Sequence, residues 1–412
     1  MSGPPESSFP RAEPAGTAPA LVVGLVLFTA SWALLHVGPF AGFQIVDTPV
    51  YEDYGERMLA GEVPYRDFAV EYPPAALPLF ALPALAGEGE YRAAFEVLMW
   101  ACGAAALLFL VAALRALEAS PARLVAAAAF LGLAPLALGS VVLTRYDLWP
   151  AALVAAALAA FLSGRARAGF AVLAVAAAAK VYPLVILPVA AAWVARRHGR
   201  REAAVGLAVF GAALTLVVVP FAVLAPGGLV DSLGRQLGRP LQIESLGAAI
   251  LLTLEQGGAY AATVVSSHGS QNLAGEAPTA LAAIQTALQA LALVAVWLAF
   301  AARARARDDL AAASGAAVAA FIAFGKVLSP QFLVWLLPLV PLVAGGTGLA
   351  AAALLALALV LTQAWFPDRY WDVVALEPVG LLVLVRDLVL VALFAVLLAA
   401  VLRRGPEPAR SR

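Results

Sequence analysis

Ala20-Leu-Val-Val-Gly-Leu-Val-Leu-Phe-Thr-Ala-Ser-Trp-Ala-Leu-Leu-His-Val-Gly-Pro-Phe40 is an apolar run without a formal charge. Within a few residues it leads into Asp47-Thr-Pro-Val-Tyr-Glu-Asp-Tyr-Gly-Glu-Arg-Met-Leu-Ala-Gly-Glu-Val-Pro-Tyr-Arg-Asp-Phe-Ala-Val-Glu-Tyr-Pro-Pro74. The first stretch has the length of a membrane-crossing helix, for which about 20 apolar residues suffice. The second is its opposite: Asp47, Glu52, Asp53, Glu56, Glu62, Asp67 and Glu71 stand beside Tyr51, Tyr54, Tyr65, Phe68 and Tyr72. A connection between two spans has no need of so many acids and rings. Carboxylates held at a membrane surface, with rings to stack on a ligand, are what sugar chemistry at a lipid interface requires.

The rest of the chain repeats the first stretch. Of 412 residues, 63% are hydrophobic and 13% charged, whereas roughly half apolar is usual for a soluble domain. Apolar runs fall at 20–40, 92–115, 122–143, 147–163, 168–181, 183–196, 203–225, 279–302, 309–327, 331–345, 348–366 and 379–402. They lack the alternation of a membrane barrel, and Ala and Leu dominate. The expected fold is therefore an all-α polytopic membrane protein of about twelve transmembrane helices, covering 20–402. Residues 1–19 read as a disordered leader and 403–412 as a tail. The first run is longer than a signal-peptide core and no convincing cleavage site follows, so it is expected to remain as a span. Pro73, Pro74, Pro78 and Pro83 break the stretch 73–85, which is expected to be re-entrant or to lie at the surface.

Arginine sets the expected orientation. Arg115 and Arg123, Arg165 and Arg167, Arg196 to Arg201, Arg303 to Arg307 and the tail Arg403, Arg404, Arg410 and Arg412 fall on one side of these spans. The positive-inside rule makes that side cytoplasmic, with both termini inside. The other side then receives the loops 41–91 and 226–277, Arg145-Tyr146-Asp147, Lys180-Val-Tyr-Pro183, Lys326-Val-Leu-Ser-Pro-Gln331 and Phe366-Pro-Asp-Arg-Tyr-Trp371. The chemistry is expected at that extracytoplasmic face of the plasma membrane.

Asp47 follows the first span closely, so a membrane helix pins it, and it is read as functional. Glu52, Glu56 and Glu62 are read as solvating a short helix over 49–60 that Gly61 ends. Its Val50, Tyr54, Met58 and Leu59 suggest a helix lying on the membrane surface. Lys180 and Lys326 are the two lysines against twenty-four arginines, and both fall at outer span ends. Snorkelling would explain either one; both together, beside Arg145 and Arg369, suit a lipid-linked phosphate. Arg145 and Asp147 are as readily an ion pair with each other at a tight turn. Gln242, Glu244 and Ser245 open an amphipathic segment over 241–255, for acceptor binding or for covering a cavity. His268 is the one histidine placed outside, since His36 falls in the first span and His198 inside. Cys102 is the only cysteine, which leaves no disulfide. The charge balance of zero says nothing about partners, but no basic stripe suited to nucleic acid occurs, so none is expected as a partner. No metal-site spacing, phosphate loop or nucleophile elbow occurs.

Asp47-Thr-Pro-Val-Tyr51, Gly61-Glu-Val-Pro-Tyr-Arg-Asp-Phe68 and Glu71-Tyr-Pro-Pro74 together resemble the first outer loop of actinobacterial glycosyltransferase family 87, in the GT-C superfamily. Arg145-Tyr-Asp147, Lys180-Val-Tyr-Pro183, Gln242-Ile-Glu-Ser245, Lys326 to Gln331 and Phe366-Pro367 extend the resemblance along most of the chain. It implies a hexosyltransferase that moves a sugar, usually mannose, from a polyprenyl-phosphate donor to a lipid or glycan acceptor. By that resemblance Asp47 is the catalytic base. Lys180, Lys326, Arg145, Arg369 and His268 are the expected donor-phosphate contacts. Tyr51, Asp53, Tyr65, Asp67, Glu71, Tyr72, Tyr182, Gln242, Glu244 and Gln331 are the expected substrate contacts. No metal or other cofactor is called for. The stretch 61–74 differs from the mannoside-synthesising members, which leaves the sugar and the acceptor open. A transporter or lipid flippase is the alternative; it would place its charges at mid-membrane and show inverted repeats. A purely structural subunit gives no reason for the acidic, aromatic loop.

Overall fold

The computed structural model describes residues 16–87, 89–303 and 307–403. Most of the leader, the tail from Arg404 onward and Arg305 lie outside the described residues. The chain enters through α1 (Thr17–Leu34), passes the loop helices α2 (Thr48–Leu59) and α3 (Leu77–Ala84), and continues through α4 (Tyr91–Ala116) and α5 (Pro121–Leu138). Next come α6 (Leu148–Leu162), α7 (Ala166–Ala179), α8 (Leu187–His198), α9 (Arg200–Leu224) and α10 (Pro226–Leu237). Strand β1 (Leu241–Gln242), α11 (Leu246–Gln256), β2 (Thr263–Ser267) and β3 (Ser270–Ala274) form the large loop. The chain closes with α12 (Glu276–Arg303), α13 (Asp309–Ala323), α14 (Gly345–Gln363) and α15 (Gly380–Arg403).

Among the described residues, α1, α4, α5, α9, α12, α14 and α15 are long and apolar enough to cross a membrane. The remaining expected spans are shorter, and proline and glycine explain where they stop. Gly139, at φ 60, ends α5 before the expected 143. Pro183 disfavours helix in the residues before it, so α7 stops at Ala179 and a 3-10 turn, Tyr182–Ile186, leads into α8. The stretch 331–345 is not an α-helix. Pro330, Pro338 and Pro341 remove amide donors, leaving two 3-10 stretches, Pro330–Leu336 and Val340–Leu342. Trp335, Leu336, Leu339 and Val340 are buried in protein there, where irregular backbone is tolerated at membrane depth.

α1 packs on α5, α4 on α6, α7 on both α6 and α9, and α15 on both α13 and α14. The Ala-rich α13 is buried along almost its whole length, since small residues let its neighbours approach closely. Leu216, Val219 and Val223 of α9 and Leu291, Val294 and Leu298 of α12 are exposed, an apolar belt suited to lipid tails.

One end of the bundle is capped by arginines. Arg196 donates to the carbonyls of Phe300 (3.1 Å) and Ala301, Arg303 to Leu402 (2.9 Å), Arg307 to Ala116 (3.3 Å) and Arg123 to Leu342 (2.6 Å). Cations at the C-terminal ends of helices satisfy their last carbonyls and oppose the helix dipole. The acidic, aromatic loop gathers at the other end. There β1, β3 and β2 form a small three-stranded antiparallel sheet within the otherwise helical chain. His268 and Gly269, at φ 53 and 65, make the tight turn that joins β2 to β3.

Candidate active site

α2 begins one residue after Asp47, with Pro49 inside its first turn, and ends before Gly61 at φ 89. It packs on α3. Gly55 crosses the Phe80 carbonyl so closely that a Cβ there would sit 2.3 Å from the oxygen. Tyr51 stacks on Phe80 at 4.5 Å and meets Tyr72 and Tyr146 edge-on at 5.6 and 5.9 Å. Tyr54, expected to face lipid, is buried against Phe68, while Val50 and Leu59 are exposed.

The Asp47 carboxylate does not cap the helix it precedes. It is ion-paired with Arg145 and accepts a hydrogen bond from the Tyr51 hydroxyl at 3.3 Å. Arg145 also donates to the Ile45 carbonyl at 3.3 Å. Burial pulls its pKa down to about 10, against the pull of Asp147 and Glu244. The guanidinium thus ties the turn before α6 to the lead-in of α2.

Arg145 and Asp147 do not pair with each other. Asp147 is buried and accepts from Lys180 Nζ and Trp335 Nε1, each at 2.6 Å. Lys180 lies 4.6 Å from the centre of the Tyr146 ring and 5.3 Å from that of Trp335. Trp335 is sandwiched by Tyr182 and Phe332, both at 4.1 Å. Lys180, expected to meet a donor phosphate, is therefore engaged with a carboxylate inside an aromatic box.

A second polar cluster stands beside this one. β1 pairs with β3 through Leu241↔Leu273 and Gln242↔Asn272, and the following residues bury Glu244. Gln242 Nε2 donates to Glu244 Oε2 at 2.5 Å and to Ser329 Oγ at 2.9 Å, and Ser329 reaches the same carboxylate at 3.5 Å. Burial pushes the Glu244 carboxyl up to about 7, while the charges of Arg386, Arg145 and Arg239 work against it. Arg239 donates to Ser270 Oγ at 2.9 Å, and its electrostatic partners are Glu71, Tyr72 and Glu244. The Nε atoms of Arg145 and Arg239 are buried and make no hydrogen bond. From α15, Arg386 donates to the Glu244 carbonyl at 2.8 Å and is ion-paired with Asp387 at 2.6 Å.

Other expected site residues stand apart. Arg369 is largely exposed and pairs with Asp372 at 3.0 Å, one helical turn away. Asp67 is a loop staple: Arg66 and the Val63 amide, at 2.9 and 2.7 Å, hold its carboxyl down at about 2. Asp53 and Glu71 are exposed, and the Glu71 carbonyl accepts from Gln236 at 3.2 Å. Tyr65 is buried and donates to the Tyr72 carbonyl at 2.5 Å. Lys326 caps α10 through the Leu237 carbonyl at 2.9 Å, and Gln331 is half-buried. His268 is exposed at its turn, with Gly269 beside Glu71. It is not alone at this end: α1 stops at Leu34, and His36, expected within the span, reaches Glu96 at 2.8 Å beside Arg92 and Gln44. The expected amphipathic segment over 241–255 is a strand residue pair followed by α11.

The sequence did not disclose Asp147 as the partner of Lys180, nor the parts played by Arg239, Ser329, Trp335 and the Arg386–Asp387 pair. The last two had a signal, since adjacent opposite charges inside an apolar span are unusual enough to mark a site. Arg239 had none, being one arginine of a long loop. Among the described residues no three His, Cys, Asp or Glu side chains converge as a metal site would require.

Residues 70–330 match the model of glycosyltransferase family 87, a region that holds Arg145, Asp147, Lys180, Arg239, Glu244 and Ser329 but not Asp47 and α2, Trp335 or the Arg386–Asp387 pair. Among solved structures, the fold is similar to that of ArnT from Cupriavidus metallidurans, crystallised bound to undecaprenyl phosphate. The TM-score is 0.50 at 17% identity, over 94% of this chain and 77% of that one. No curated protein matches. With an ArnT-like, GT-C-type fold and a family model that covers most of its length, this multi-pass membrane protein belongs to glycosyltransferase family 87.

Proposed function

We propose that the protein transfers a sugar, mannose being the one its sequence resemblance points to, from a polyprenyl-phosphate donor to a lipid or glycan acceptor. The transfer inverts the anomeric centre, and Asp47 is the general base. The observation that carries this reading is the Asp47 carboxylate, fixed at the head of α2 by Arg145 and Tyr51 yet still about one-third exposed. Family membership and the fold shared with a protein crystallised with undecaprenyl phosphate support the donor class.

An inverting transfer needs one carboxylate to take the acceptor hydroxyl's proton as that oxygen attacks the anomeric carbon. The departing polyprenyl phosphate leaves from the opposite face. It is already a good leaving group, so it needs fixed positive charge rather than a proton. Arg145 and Arg239 have donor capacity to spare, because each, like the more deeply buried Arg386, has a buried nitrogen without a hydrogen bond. Lys180, Lys326 and Arg369 are engaged with Asp147, the Leu237 carbonyl and Asp372. The prenyl chain lies against exposed apolar helix faces, of which α9 and α12 are the most extensive. The arginine-capped end of the bundle is cytoplasmic by the positive-inside rule, so the site opens to the extracytoplasmic side.

The test uses purified protein in detergent with synthetic polyprenyl-phosphate mannose and a membrane-lipid extract as acceptor. Release of polyprenyl phosphate by wild type, lost in Asp47→Asn while donor binding persists, supports both the reaction and the base. Equal release by both proteins moves the base elsewhere. Release by neither, across a panel of lipid-linked sugars, overturns the donor class.

A further inference from the structure

Glu244 is a buried carboxylate of the large loop and has two opposite charges beside it. α15 begins at Gly380, so Arg386 and Asp387 lie about two helical turns below its outer end. Neither is exposed at all, and they form an ion pair at 2.6 Å. A buried ion pair is a poor source of stability, because desolvation offsets most of its attraction. This one is joined to the site. Arg386 Nη2 donates to the Glu244 carbonyl at 2.8 Å, and its guanidinium lies 5.6 Å from the centre of the Trp365 ring.

We infer that Arg386 and Asp387 are positioning residues for Glu244: the guanidinium holds its main chain under the site, and the two opposite charges balance on its carboxylate. The inference rests on the proposed glycosyl transfer only for the meaning of Glu244, not for the coupling itself. The charged and titratable groups around the carboxylate are Arg386 and Asp387 from α15, Arg145 from the turn before α6, Arg239 after α10, and Tyr370. Gln242 and Ser329 supply its hydrogen bonds. Burial lifts the Glu244 carboxyl towards neutrality, Arg386 pulls it down, and Asp387, the weaker of these two charges on it, offsets part of that pull. A negative charge that comes and goes there changes the net charge seen by an anion held between Arg145 and Arg239.

The two charges act on Glu244 in opposite senses, which separates this role from simple support of the fold. The carboxyl C=O band of protonated Glu244 is followed by difference infrared spectroscopy of the full-length protein across the neutral range, and assigned by its loss in Glu244→Gln. Asp387→Asn leaves Arg386 unbalanced and moves the midpoint down. Arg386→Gln removes the attraction and moves it up, each by about one pH unit, a tenfold change in proton affinity. The charge-neutral double variant Arg386→Gln/Asp387→Asn lies between them, and Arg386→Lys, which keeps the charge, stays near wild type. Shifts in the same direction, no shift, or a midpoint in Arg386→Lys displaced as far as in Arg386→Gln overturns the inference. The expected shifts without glycosyl transfer from any lipid-linked sugar would leave the coupling standing and remove the proposed function.

Discussion

Lys180 Nζ lies 2.6 Å from Asp147 Oδ1, and the pair joins the end of α7 to the start of α6 where little of either side chain reaches water. The cation that the sequence offers to a phosphate is thus held by a carboxylate from the neighbouring helix. Trp335 completes the contact from the 3-10 segment opposite. Three separate parts of the chain meet on one oxygen.

Removing one partner of this pair strands the other. Asp147→Asn or Lys180→Met should each cost about 3–5 kcal/mol, the usual penalty for an uncompensated buried charge. The double substitution Asp147→Leu/Lys180→Met should recover most of that loss. Thermal unfolding in detergent reads the difference; equal losses in the single and double variants would show that the pair does not act as a unit.

Arg239 and Arg369 should behave differently, although both are loop arginines at the same end of the bundle. Arg239→Met removes a buried donor beside Glu244, worth about 1.5–3 kcal/mol for a charge-assisted bond. The donor KM should rise on the order of ten- to hundredfold. Arg369→Met, on an exposed pair with Asp372, should leave KM unchanged, since such pairs contribute little. Initial rates against donor concentration decide between them.

Gly55 sets the seat of α2. A Cβ there would lie 2.3 Å from the Phe80 carbonyl oxygen, so Gly55→Ala must lift α2 from α3. Overpacking of this kind costs about 1–3 kcal/mol, and the displaced Asp47 should lower kcat. Gly211, inside α9, has no atom within 4 Å of a built Cβ. Gly211→Ala should stabilise by about 0.5–1 kcal/mol with no change in kcat. Paired melting curves and rates test both.

Glu244 gives stability a pH dependence of defined sign. Its carboxyl is raised from 4.5 to about 7 in the folded protein. Between those values the folded state keeps a proton that the unfolded state has lost. Its contribution is therefore full below about 4.5 and declines as pH rises through about 7. Glu244→Gln, which carries no charge to titrate, should flatten that slope in melting temperature against pH. A slope that persists in the variant would assign it to another group.

Reading the chain as helices needed only composition and spacing, because apolar runs of bilayer length have few other folds open to them. The helix α2 and the break at Gly61 were legible for local reasons: a proline in the first turn, an amphipathic stretch and a glycine stop. The small sheet was not, since β1 is two residues long and pairs with β3 across α11 and the β2 hairpin. Nor were the partners of Arg145, Asp147 and Lys180. Arg145 and Asp147 are two residues apart yet separate towards Asp47 and Lys180, because their side chains leave an extended residue and a turn in different directions.

By itself the sequence determined that this protein is a membrane-embedded bundle with its acidic and aromatic residues gathered at one end. Hydrophobic burial is local and additive along a chain, so it can be read residue by residue. Only the tertiary structure decided which charges are already neutralised and which keep hydrogen-bonding capacity for a ligand. Ion pairing depends on distances of a few ångströms between segments far apart in sequence, and those distances exist only once the helices have packed.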